Sequence, residues 1–462
     1  MPRALRRALL GALENCNNSL EEDMLRHKSK WIRLGEILHP GQYAERFPRA
    51  FAAISKLRKN QPIATFASKT EAALKSNDWA KALELLKTRP GEFLRRLDVM
   101  LRRNPTASVE ILNALASVGK DMATPALLNV HQHFHNRKAK AETRCVFPKG
   151  TTSKMKVIPA VKETIATDVC EAVAANVETI LRERFSKLEP LGKVFIDKNL
   201  AFYPIPFAQR SASKALRSLP RGSHAPLDTI KGKPETLRFF IWWKNADTGS
   251  EWDDRVDLDL SCQFLKSNFE ENGTVSYYNL RAIGGRHSGD ITDAPNGAAE
   301  FIDLNIPKLI EKGTRYVAAI VTSYTKQPYK DLPECFMGWM TRHHDQEGQI
   351  FEPKTVKHKS DLTGDTKMVI PVLIDLKTRK AIWLDISVGE QARWAINVEN
   401  NKTSIALVCK NLASLKKPSL HTLVRLHAEA RGEVVATREE ADVVFRQDFA
   451  YENDKIASEF LK

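Results

Sequence analysis

Cysteine is scarce in this chain and never paired at short spacing. Cys16, Cys145, Cys170, Cys262, Cys335 and Cys409 are scattered through 462 residues, and no two form a C-x-x-C arrangement. Neither a zinc cluster nor a disulfide framework is expected from such spacing. Cys262 and Cys409 lie inside apolar runs and read as small core residues. Long apolar runs are missing too: no uninterrupted stretch reaches the roughly eighteen residues of a membrane-spanning helix. The basic opening from Met1 to Leu10 meets Glu14 and Asn15 before its apolar run is long enough for a secretory signal. A cytoplasmic protein with reduced thiols is the expectation.

Signatures of catalysis are also absent. No P-loop, nucleophile elbow or dinucleotide fingerprint occurs, which argues against ATPase, hydrolase and dehydrogenase chemistry. Ser211-Ala212-Ser213-Lys214 matches the S-x-x-K pairing in which a lysine activates a serine hydroxyl. Its S-D-N and K-T-G companions are missing, so a basic turn is expected instead. His131 and His135 share a helical face at i,i+4 spacing, but no Glu or Cys completes a metal set, and His343-His344 is weaker still. A non-enzymatic protein follows.

What the chain does have is charge, unevenly placed. Its formal balance is +15, yet residues 1–235 hold 41 basic against 23 acidic side chains, whereas residues 236–462 hold 30 against 33. A front half at +18 suits nucleic acid, an anionic surface or an acidic protein partner. Arg95, Arg96, Arg102 and Arg103 flank an apolar stripe of Phe93, Leu94, Leu97 and Leu101. They read either as a solvated rim around a core-facing stripe or as an anion-binding ridge that neutralises phosphates without reading bases. No RNP motif, helix-turn-helix or zinc finger supports sequence-specific recognition.

The length allows two or three domains. Apolar periodicity predicts a helical region over 1–137, with helices over 20–38, from a Ser68-x-x-Glu71 capping box, over 79–87 behind Asn77 or Asp78 as cap, and over 93–103, 108–118 and 124–137. Residues 138–235 read as a basic connecting segment containing a linker or hairpin (138–159) and a long helix (161–188). From Leu237 the period switches to two, and about eight short strands predict a β-sandwich over 236–462 with helices near 404–415 and 420–431 and a polar tail from Asp448. The fold class is therefore α+β, separable near Lys231–Glu235. Trp242, Trp243, Trp252, Trp339, Trp383 and Trp394 all fall in the β part and read as core.

One constellation carries chemistry. In Arg255-Val256-Asp257-Leu258-Asp259-Leu260-Ser261, alternation puts the carboxylates on one face of a strand and the apolar residues on the other. Tyr277-Tyr278-Asn279 follows, then Gly284-Gly285-Arg286-His287-Ser288-Gly289-Asp290 and a loop with Asp293, Asn296 and Glu300. Asp257, Asp259, Asp290, Asp293, Asn296 and Glu300 offer the oxygen ligands that hard cations such as calcium take.

The DLDLS strand, the YN strand expected over 275–280 and the HSGD turn, in this order, resemble the TerD family of bacterial stress proteins, named for tellurite resistance, over about residues 236–341. The resemblance implies a two-sheet β fold, calcium bound through acidic loops, and roles in resistance to chemical stress and phage, with no settled catalytic activity. Where the family has a run like DGDDE, this chain reads Asn296-Gly297-Ala298-Ala299-Glu300, so weak calcium binding is expected. Fainter similarity to larger TerD-containing bacterial proteins runs through Leu34–Gly41, Arg89–Asp98, Phe207–Lys214 and Leu219–Ser223. Longer relatives begin with a RING-like zinc module whose Cys/His cluster this chain lacks. A cytoplasmic stress-response or defence adaptor with protein partners is expected, the alternative being a nucleic-acid-associated protein using the basic half.

Overall fold

The computed structural model describes residues 1–16, 19–137, 142–148, 154–160, 163–207, 219–227, 235–247, 254–342, 356, 358–387 and 398–462. The S-x-x-K run, His343-His344, Trp252, Trp394 and most of the boundary near Lys231–Glu235 lie outside these residues. The chain packs as two units, Met1–Met122 and Ala123–Lys462.

The first unit is helical: α1 (Arg3–Glu14), α2 (Leu20–Arg26), α3 (Lys28–Leu38), α4 (Pro48–Arg58), α5 (Phe66–Lys75), α6 (Trp79–Lys87), α7 (Pro90–Arg103) and α8 (Ser108–Val118). The helix expected over 20–38 breaks in two at His27, which leaves the helical region at φ −128°. Thr65, not Ser68, caps α5 and accepts the Ser68 N–H, because the helix begins one turn earlier than the capping box implied. Asp78 caps α6 as its spacing predicted. Glu14 ends α1 by accepting the Arg49 and Ala50 N–H groups at the start of α4, supplying acceptors to donors that have no partner within the helix. Arg89 grips Glu22 with two bonds, at 2.9 and 3.1 Å, and stacks over Phe66.

The second unit opens with α9 (Thr124–Asn136), the hairpin of β1 (Thr143–Val146) and β2 (Lys156–Pro159), α10 (Thr167–Phe185), β3 (Gly192–Ile196) and β4 (His224–Pro226). Then come β5 (Thr236–Trp243), β6 (Leu258–Leu265), β7 (Glu271–Val275), β8 (Arg281–Ala282), β9 (Gly285–His287), β10 (Ala298–Asn305), α11 (Ile306–Glu311), β11 (Tyr316–Ser323), β12 (Cys335–Arg342), β13 (His358–Asp361), β14 (Met368–Asp375) and β15 (Lys380–Ser387). The chain finishes with α12 (Lys402–Ala413), α13 (Leu420–Arg431), β16 (Gly432–Val434) and β17 (Val443–Phe445), followed by short helical turns.

Two six-stranded antiparallel sheets, ordered β13-β12-β5-β10-β9-β8 and β4-β15-β14-β11-β6-β7, share one core. Phe239, Ile241, Ile302 and Trp339 from one meet Leu258, Leu260, Val317 and Val372 from the other. α12 covers the outer face of the second sheet, laying Ile405, Cys409 and Leu412 on Ile320, Ile370 and Leu384. β6, β11, β12 and β14 are buried along their whole length; β11, β12 and β14 read as near-continuous apolar runs, and β6 alone alternates apolar with polar residues. Trp243, Trp339 and Trp383 belong to the shared core, and Trp242 stacks on Phe336 at 5.4 Å. A small parallel sheet, β16-β3-β17, completes the unit beside α13.

The tail is not the polar extension its composition suggested. Phe449, Ile456 and Phe460 are buried, and Phe460 packs edge-on against Phe445, Phe449 and His427. A few apolar residues at wide spacing suffice to fold back a segment that reads as polar by count.

Candidate metal centre

β6 delivers the first two acids. Leu258, Leu260, Cys262 and Phe264 point into the shared core, so Asp259 lies on the opposite face with Ser261 and Gln263; Gln263 donates to the Lys402 carbonyl at the start of α12. Asp257 sits one residue before the strand. Its own N–H is held by Thr325 Oγ1, and its carbonyl accepts from Tyr324. These bonds fix the pair at one end of the sandwich.

The turn after β9 delivers the third acid. β7 pairs with β6 only as far as Cys262 opposite Val275, and then turns away through Ser276–Asn279. The edge of Leu260 is left without a strand, and side chains from the other sheet close it. The Leu260 N–H donates to Glu300 on β10, and its carbonyl accepts from His287 on β9, each at 3.0 Å. Gly289 N–H donates to His287 Nδ1 at 3.1 Å, which places the ring proton on Nε2, facing Leu260. Ser288 Oγ accepts the Phe301 N–H, and Gly289 takes φ +124°, a conformation for which a side chain is strained. The turn thereby aims Asp290 across at Asp257 and Asp259, and carboxylate oxygens of all three lie within 4.8 Å of one another.

Asn245 holds the surrounding loops together. Its Oδ1 accepts the N–H groups of Val256 and Ala294, and its Nδ2 donates to Asp293 at 2.8 Å. Gly297 allows the loop to turn under Trp242: it has φ +89°, and a Cβ there would meet the indole at 2.4 Å. No motif in the sequence announced Asn245; only its place at the end of β5 could have.

Of the six expected ligands, then, Asp257, Asp259 and Asp290 converge. Asp293 bonds Asn245, Asn296 is exposed in the loop, and Glu300 is wholly buried, spending its two oxygens on the Ile291 and Leu260 N–H groups. Glu300 braces the loop from beneath the triad.

Electrostatics mark the triad as an anionic site short of counter-charge. Burial, reinforced by Asp290, pushes the Asp257 carboxyl up to about 6 against the opposing pull of Arg255. Burial with the charges of Asp257 and Asp290 pushes Asp259 to about 7. Glu300 rises to about 8, chiefly through burial, although its two backbone donors pull it down. Asp257 Oδ1 is buried without a hydrogen-bond donor. Three clustered carboxylates and a buried acceptor lacking a donor fit a hard divalent cation, with Asp257, Asp259 and Asp290 as its holders.

Three of the four arginines expected to bind anions have acidic partners within the protein. Arg95 pairs with Glu92, Arg96 with Glu71, and Arg102 with Asp98 at 3.3 Å, while Arg103 is exposed. His131 bonds Glu178 at 3.0 Å, within a network that also joins Arg182, Arg425 and Glu429.

No protein-family model and no curated protein matches the chain. Among solved structures, it is similar to a homologue of a telluride resistance protein (TerD) from Streptomyces coelicolor A3(2), at 8% identity and a TM-score of 0.28, covering 38% of this chain and 98% of that one. It is also similar to a protein of unknown function at 12% identity and a TM-score of 0.27, covering 35% of this chain and 95% of that one. The reading of the site rests on its own geometry.

Proposed function

We propose that this chain is a non-enzymatic adaptor whose β-sandwich binds a divalent cation, calcium being the expected ion, at Asp257, Asp259 and Asp290. The observation that carries the reading is the convergence of three carboxylates around a buried oxygen that no donor meets. The cation supplies positive charge that offsets the mutual repulsion of the acids; Glu300, His287 and Asn245 hold the loops that present them. A role in cytoplasmic stress response or defence follows from the resemblance of the DLDLS, YN and HSGD motifs to TerD proteins. Three carboxylates on a site lacking the fuller acidic run give a weak site, with a dissociation constant of about 10⁻⁴–10⁻³ M.

Isothermal titration with calcium is the test. The wild-type chain is expected to bind in that range, and Asp290→Asn, an exposed substitution, to lose measurable heat while melting normally. Equal binding by the two proteins, or no heat from either, contradicts the assignment.

A further inference from the structure

Four of the exposed large apolar side chains surround the triad. Tyr324, the most open at 63% exposure, follows β11, and its N–H bonds the Asp257 carbonyl. Tyr278 and Leu280, at 41% and 43%, lie on the turn where β7 leaves β6, and the Leu280 carbonyl accepts the His287 N–H. Ile291, at 36%, directly follows Asp290. The register places them at one end of the sandwich: Asp259 stands opposite Thr322, two residues before Tyr324, and Cys262 opposite Val275, just before the tyrosine turn. Apolar side chains grouped in this way mark an interaction surface.

Exposed cations share that end. Arg255 lies 3.7 Å from Asp257, Arg281 follows Leu280, and Lys326 follows Thr325, whose hydroxyl holds Asp257. A divalent ion offsets two of the three triad charges. Two further acids lie nearby, Asp293, bonded to the neutral amide of Asn245, and Glu399, whose neighbour Lys402 is paired with Glu271 at 2.7 Å. Loading therefore makes this end less negative by two charges, beside three exposed cations and an apolar rim. An ion held by three side chains also leaves coordination positions facing outward, since calcium takes six to eight oxygens.

We propose that this end of the sandwich docks on an anionic phospholipid bilayer when the cation is bound. This rests on the metal reading above. The ion bridges the triad to headgroup phosphate or carboxylate oxygens, Arg255, Arg281 and Lys326 meet the negative surface, and Tyr278, Leu280, Ile291 and Tyr324 enter the headgroup layer. Among the described residues no helix is long and apolar enough to cross a membrane, so the contact is peripheral.

The test is co-sedimentation of the full chain with phosphatidylserine/phosphatidylcholine vesicles and with phosphatidylcholine vesicles alone, at about millimolar calcium or with chelator. Calorimetry with calcium is run on the same samples. Binding is expected only with anionic vesicles and calcium, falling roughly tenfold in Leu280→Ser and again in Tyr324→Ser, with calcium heat unchanged in both variants. Calcium heat without vesicle binding overturns docking and leaves the metal site standing; absence of heat overturns both. Binding that ignores calcium or lipid charge refutes the bridge. Capture of soluble glycerophosphoserine, undiminished in the two serine variants, shows a headgroup site rather than a bilayer surface and refutes the proposal.

Discussion

At the residue scale, the acids at the end of β6 are held against their own repulsion, and pH is the lever that exposes it. Asp257 faces Asp290 and Arg255; Asp259 faces Asp257, Asp290 and the half-buried Tyr277; Glu300 faces His287, Asp259 and Asp290. In the folded chain Asp257, Asp259 and Glu300 titrate near about 6, 7 and 8, above ordinary carboxylate values of about 4. The native state thus keeps protons that the unfolded state has lost. Their contribution to stability is fully present below about pH 4 and is lost as pH rises through the folded values. A cation reverses this trend, because it binds the deprotonated acids and expels their protons. Calcium affinity is therefore expected to rise by about tenfold or more between pH 6 and pH 8, as measured by titration at both; equal affinities contradict the perturbed carboxyls. The Asp pair and Asp290 were legible in the sequence because strand alternation and a Gly-containing turn are local patterns. Glu300 was misplaced among the ligands because its partner, the Leu260 N–H, becomes available only when β7 turns away, a tertiary event.

At the element scale, strand alternation, Pro/Gly punctuation and capping side chains recovered the long strands and most helices, but the strand expected over 275–280 is a turn following β7, and the short β8, β9 and β13 were missed. These signals were least informative where a partner distant in sequence decides the outcome. β4 precedes the boundary expected near residue 235 yet pairs with β15, and β3 lies between β16 and β17, more than two hundred residues downstream. The tail is held in the same way. Phe460 closes an aromatic cluster with Phe445, Phe449 and His427, and His427, stacked on Phe185 at 3.6 Å, donates from Nε2 to the Phe460 carbonyl. Phe460→Ala is expected to destabilise the second unit by about 3–5 kcal/mol, seen as a lower denaturant midpoint. An unchanged midpoint would show that the tail is dispensable.

At the scale of the whole molecule, the chain forms two units with different architectures. The first is a helical array in which some arginines pair with acids a turn away, as Arg95 with Glu92 and Arg102 with Asp98, and others with acids on another helix, as Arg89 with Glu22 and Arg96 with Glu71. Net charge read from the sequence could not reveal the pairs between helices, because those depend on which faces meet. The division after Met122 was equally hidden: α9 has the same apolar spacing as the helices before it, and only packing with α10 assigns it to the second unit. That unit carries the central claim, that β6 and the turn after β9 build one cation site. The most direct measurement is anomalous diffraction from crystals grown with calcium or manganese. The account predicts a single strong peak at about 2.1–2.6 Å from oxygens of Asp257, Asp259 and Asp290. No peak there at saturating metal, or a peak held instead by Asp293, Asn296 and Glu300, contradicts it.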